Sequence, residues 1–217
     1  MKKMMILVLS NKNLTTLEGI DLTNVTYLDC SNNYLTSLPD LPDSLVQLRC
    51  HTNNITSLPS LPQSLIFLSC FGNNLTTLPT LPNSLRMLYC ENNHLTSLPT
   101  LPNCLQELTC NNNNLRVLPN LPNSLIELFC YNNKLTTLPI LPPHIVLLQC
   151  FGNLLTKTYL GDIEFEQHNQ MRKDIGWNPV SRIRKDADVR EKWTIWQYRP
   201  GGAKYNQAEK EINSNNN

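Results

Sequence analysis

Seven cysteines recur at one spacing: Cys30, Cys50, Cys70, Cys90, Cys110, Cys130 and Cys150 each stand 20 residues from the next, and an eighth, Cys104, stands apart. Cysteine can form a disulfide, ligate a metal or act as a nucleophile. Disulfides fit poorly here, because an odd number cannot all pair within one column. Side chains held in register also run parallel, whereas a bridge brings Cβ atoms to about 3.8 Å. No CxxC pair occurs and the column has no accompanying histidine, so no metal site is expected. The expected role is that of a small apolar core residue, much as Val would serve in the same place. Free thiols of this kind imply a reducing compartment and hence an intracellular setting. Cys104 replaces the serine found at Ser44, Ser64, Ser84 and Ser124, and is the thiol expected to react most readily.

The elements that position the cysteines come from the same repeat. Two residues before each stands Leu28, Leu48, Leu68, Leu88, Leu108, Leu128 or Leu148. Three residues after each stands Asn33, Asn53, Asn73, Asn93, Asn113, Asn133 or Asn153, followed by Leu35, Ile55, Leu75 and their equivalents. The phrase LxxLxCxxNxLxxLPxLPxS holds through six full copies, and "LVLSNKNLTTL" is a weaker first copy with Leu9 in the cysteine place and Lys12 in the asparagine place. A period this short defines a solenoid, since one coil cannot bury its own leucines and stacking must do it. Strand alternation turns Leu85, Leu88 and Cys90 inward and Met87 and Tyr89 outward. The asparagine amide is expected to satisfy backbone groups left open at the turn, in its own coil and the next. The prolines of "LPTLP" fix φ and remove a donor, which favours an extended, polyproline-like convex side over a helix.

These columns resemble the leucine-rich repeat family over about residues 4–156. The short 20-residue copies with a double LPxLP are similar to the bacterial subclass of secreted effectors of the YopM type. Cys-bearing, Asn-rich copies are also similar to those of large DNA viruses of amoebae. The resemblance implies a curved solenoid of about eight coils with a parallel, concave β-sheet. It also implies a non-catalytic scaffold that binds a partner protein on that sheet, possessing no cofactor and directed at a host.

Three outward columns form the expected concave face. They read Tyr27, Gln47, Phe67, Met87, Glu107, Glu127, Leu147; then Asp29, Arg49, Ser69, Tyr89, Thr109, Phe129, Gln149; then Ser31, His51, Phe71, Glu91, Asn111, Tyr131, Phe151. Aromatic and Met side chains gather at Phe67, Phe71, Met87 and Tyr89, and again at Phe129, Tyr131 and Phe151, with Glu91, Glu107 and Glu127 between them. Rigid apolar side chains are enriched in protein interfaces, and an exposed cluster is otherwise a liability. Aromatics also simply suit strands. These ten residues are the candidate partner-binding site.

After Asn153 the composition changes: residues 157–217 hold 20 charged residues and all three tryptophans. Asp162 reads as a helix cap and Gly176 as a stop, and Val189, Trp193 and Trp196 fall on one helical stripe. The region is expected to be a small α-helical cap on the last coil, with Trp177, Trp193 and Trp196 covering it, or else a separate partner-binding module. The ending, 213–217, reads as disordered.

Other functions fare less well. Some repeat proteins of this class carry a ubiquitin ligase domain with a nucleophilic cysteine, but no cysteine follows Cys150, and 61 residues are too few for it. Serving as the substrate-recognition part of such an assembly stays open. His168 with Glu164 and Glu166 reads as a helical surface cluster, and no phosphate loop or HExxH occurs. Arg182, Arg184 and Lys185 near tryptophans could hold nucleic acid, but Asp186, Asp188 and Glu191 dilute the charge. The formal net charge is +1, which gives no general pull toward nucleic acid or an anionic membrane. No apolar run approaches the roughly 20 residues of a membrane helix. "MKKMMILVLS" mimics a signal peptide, yet its apolar run Met4–Leu9 is short and lacks a cleavage site, so it is expected to be the first strand. Sequons such as Asn54-Ile55-Thr56 arise from the repeat phrase itself and carry little weight for secretion.

Overall fold

An apolar residue two places before each cysteine, with variable residues on either side, permits only a very short strand per coil. The computed structural model describes residues 5–155, and there it shows eight such strands. They are β1 (Met5–Val8), β2 (Val25–Asp29), β3 (Gln47–Arg49), β4 (Phe67–Ser69), β5 (Met87–Tyr89), β6 (Glu107–Thr109), β7 (Glu127–Phe129) and β8 (Leu147–Gln149). All pair in parallel, in chain order, as one sheet. From β2 onward the register follows the period of 20 without slip, placing Leu28 beside Leu48, Leu48 beside Leu68, and so on to Leu148. The first pair, β1 with β2, contains one irregularity between Met5 and Ile6. At roughly 4.7–4.9 Å between strands, the eight coils extend about 35 Å.

The core is the stacked interior of the coils. Leu28, Leu48, Leu68, Leu88, Leu108 and Leu128 are fully buried, as are Leu45, Leu65, Leu85, Leu105 and Leu125 on the approach to each strand. At roughly 1.5–3 kcal/mol for each fully buried leucine, these columns dominate stability. On the proline side, Leu38, Leu78, Leu98 and Leu118 are buried, while Leu58 is only partly so. The expected extended return holds in that no helix occurs among the described residues. Each return closes with a turn, as where Leu85 N–H donates to Pro82 C=O at 3.1 Å.

The asparagine column works in both directions expected of an amide, with one correction. Asn73 Nδ2 donates to Cys70 O in its own coil at 3.0 Å and to Cys50 O at 3.1 Å, while its Oδ1 accepts from Ile55 N–H at 2.9 Å. The second coil is therefore the preceding one, not the next. The backbone ties the same two loops together, with Thr52 N–H on Phe71 C=O at 2.8 Å and Asn53 N–H on Gly72 C=O at 3.2 Å, which sets the Asn73 amide against the preceding coil.

Of the sequence expectations, the helical cap, the roles of Trp177, Trp193 and Trp196, the readings at His168 and at Arg182, Arg184 and Lys185, and the tail 213–217 all lie outside the described residues.

Candidate functional site

Each strand sends its central leucine inward and its two flanking residues outward, and each cysteine that follows turns inward again. The cysteine column is fully enclosed from Cys30 to Cys130, and Cys150 is 2 % exposed. All eight thiols are free. Burial pushes the thiols up: Cys30 to about 12 and Cys150 to about 11, with Cys50, Cys70, Cys90, Cys110 and Cys130 well above the ordinary value. A thiol held protonated is neither a nucleophile nor a ligand. Among the described residues no group of three or more His, Cys, Asp or Glu side chains is placed to hold a metal ion. Cys104 is half-buried, and its Sγ donates to Asn83 O at 2.7 Å and Leu85 O at 3.2 Å, the bonds that Ser84 and Ser124 make with their hydroxyls.

The outward columns stand side by side as the spacing requires. Phe67, Met87, Glu107 and Glu127 are register partners on successive strands, and so are Ser69, Tyr89, Thr109 and Phe129. The ten candidate residues divide by exposure. Phe71, Met87, Glu107, Glu127, Tyr131 and Phe151 are half-buried. Phe67, Tyr89, Glu91 and Phe129 are buried, at 7 %, 4 %, 5 % and 8 %. Strand alternation had implied that all ten stand open. Tyr89 instead meets the Phe67 ring edge-on, with centroids 5.4 Å apart, and donates its hydroxyl to Glu107 Oε2 at 2.5 Å.

Two features of the face were absent from the candidate set although their residues lay in its columns. His51 stacks on Phe71 at 4.2 Å, as Tyr131 stacks on Phe151 at 4.6 Å. Burial pushes the His51 imidazole down to about 4; Arg49 adds to the fall and Asp29 opposes it. The Arg49 guanidinium lies 5.6 Å from the Tyr27 ring and 5.3 Å from the Phe67 ring. Their signal in sequence was the 20-residue spacing itself, which makes residues 51 and 71 neighbours. The face thus has an aromatic part around β2–β4, where Arg49 is the register partner of Asp29, and an acidic sequence around β5–β7.

A parallel solenoid of short coils with an asparagine column and an inward leucine column defines a leucine-rich repeat protein. The chain is similar to YopM from Yersinia enterocolitica WA-314, with 40 % identity and a TM-score of 0.59 over 59 % of this chain and 29 % of that one. It is also similar to a Shigella effector LRR domain, with 32 % identity and a TM-score of 0.63 over 73 % of each chain. It therefore spans less than a third of the YopM chain it matches. No family model matches the chain, and no curated protein does. The chain belongs to the leucine-rich repeat family, in the short-repeat form of the YopM-like bacterial effectors. Among the described residues no helix is long and apolar enough to cross a membrane.

Proposed function

We propose that the chain is a non-catalytic scaffold that binds a partner protein on the outer, concave face of its sheet, inside a cell and directed at a host. The observation that carries this reading is the pair of stacked aromatics, Tyr131 on Phe151 and His51 on Phe71, left half-exposed at one rim of the face. Flat rings held rigid lose little entropy when a partner covers them, and such anchors carry much of the energy of protein interfaces. The protonated, enclosed thiols suit an intracellular location. Similarity to effector repeat domains supports a host-directed role. Residues 1–156 supply the binding solenoid, and 157–217 cap it or carry a second contact.

The test is partner capture from host-cell extract by the full chain and by Tyr131→Asp and Phe151→Asp variants with unchanged circular dichroism. The half-exposed pair suits this test better than Tyr89 or Phe129, whose burial makes a charge there a threat to folding. Loss of captured protein supports the reading. Undiminished capture by both variants rejects the face.

A further inference from the structure

We propose that residues 157–183 of this chain seat on the open end of the last coil, with Trp177 against the rim formed by Ile140, Val146 and Leu154; the proposal does not depend on the protein-binding reading above.

The end of the solenoid needs a cover that the repeat itself does not supply. Inside the stack, Cys130 N–H donates to Gln149 O at 2.8 Å and Leu135 N–H to Asn153 Oδ1 at 3.0 Å, each in the following coil. The same two groups at Cys150 and Leu155 need acceptors beyond the last coil. A ninth coil cannot provide them. Twenty residues past Leu148, Cys150 and Asn153 stand His168, Gln170 and Lys173, and those residues in the inward places would bury polar and charged groups. The interior is nevertheless closed there: Leu148 is 6 % exposed and Ile145 fully buried, close to Leu128 and Leu125 inside the stack. At the opposite end, Leu7 and Leu14 are only partly buried.

An independent observation comes from the rim. Ile140, 94 % exposed in the return between β7 and β8, stands where earlier returns have Asp40, Ser60, Thr80, Thr100 and Asn120. Leu154, 63 % exposed after β8, stands where earlier coils have Asn54, Asn74, His94, Asn114 and Lys134. Val146, on the approach to β8, is exposed, whereas Val46 and Ile66 in its column are half-buried. Apolar residues in solvent-facing places mark a surface that something covers. They stand at three points around the coil, which suits a segment laid over its end rather than a plug in one groove. The chain leaves the coil at Leu155, so the residues that follow are held at this surface at an effective concentration of about millimolar. They bring Phe165, Met171, Ile175 and Trp177. A second copy or another protein would have to compete with that tether.

The experiment uses the full chain with Trp193→Phe and Trp196→Phe, which keeps Trp177 as its one tryptophan. Acrylamide quenching of Trp177 is expected to be several-fold weaker in the native chain than in guanidinium. Ile140→Asp with Leu154→Asp, both at exposed sites, should raise the native quenching several-fold, and each single variant should do so in part. Ile6→Asp, exposed on β1 at the other end of the sheet, should leave it unchanged. Circular dichroism that matches the original chain shows that the coils of each variant remain folded. Trp177 as open to quencher in the native chain as in the unfolded one, or protected yet indifferent to the rim variants, would overturn the proposal. So would protection that disappears on about a hundredfold dilution, since a second copy would then be the cover.

Discussion

Asn93 accepts the backbone N–H of Leu75 through Oδ1 at 2.9 Å, one coil back along the chain. The same amide donates through Nδ2 to Cys70 O at 3.1 Å and Cys90 O at 3.2 Å. With Glu91 O at 3.2 Å as well, one side chain serves four backbone groups in two coils. Truncation would take this Oδ1 acceptor from the buried Leu75 N–H, whereas Cys70 O and Cys90 O would still accept from the amides of Asn73 and Asn113.

Asn93→Ala is accordingly expected to destabilise the chain by about 1–3 kcal/mol, the cost of leaving one buried backbone N–H unsatisfied. Urea unfolding at neutral pH measures it. A loss below about 1 kcal/mol would mean that the amide column is ornamental.

The raised thiols predict an alkaline limit. Below pH 9 the thiols are protonated in both states, and the stability they contribute is fully present. As pH rises further, the unfolded chain sheds protons that the folded chain keeps. Stability therefore falls, and the loss continues up to about 11 for Cys150 and about 12 for Cys30. Each enclosed thiol contributes a slope of about 1.4 kcal/mol per pH unit in that window. Unfolding midpoints at pH 8 and pH 10 should differ sharply, and Cys90→Val should reduce the difference by one thiol's share.

His51 predicts a weaker acid effect of opposite sense. Its folded value, about 4, lies below the ordinary 6.5, so its contribution is complete above pH 6.5 and is lost as pH falls toward 4. His51→Phe keeps a ring on Phe71 and removes the titration. Between pH 6.5 and 4 the original chain should lose up to about 1.4 kcal/mol per pH unit more than the variant. Parallel stability curves would contradict the burial of the imidazole.

Cys104 occupies a serine place at a disadvantage. Its Sγ is 2.7 Å from Asn83 O, closer than a thiol prefers, and a thiol donates more weakly than a hydroxyl. Cys104→Ser restores the hydroxyl that Ser84 and Ser124 use, and is expected to gain about 0.5–1 kcal/mol in thermal or urea unfolding. A destabilised variant would show that sulfur packs there better than the repeat implies.

Much of this fold was legible because the period does not vary from β2 onward. Once Leu28, Leu48 and Leu68 are 20 residues apart, parallel register follows, and with it the neighbours His51 and Phe71. The enclosure of Cys90 followed from alternation alone. Alternation tells only which side a residue leaves the strand, however, and not how its ring then folds over its neighbours. Phe67, Tyr89 and Phe129 were therefore expected in the open and are buried. The direction of the asparagine bonds was likewise beyond a pattern that reads the same both ways.

The layered interior is tested most directly by counting reactive thiols with a chromogenic disulfide reagent, without prior reduction, at pH 8. The native chain should titrate promptly at Cys104 alone, and all eight cysteines should react once the chain is unfolded in guanidinium. Several thiols reacting promptly in the native chain, or fewer than eight in the unfolded one, would mean that the cysteine column is open or oxidised, and the stacked coils with their outer face would have to be abandoned.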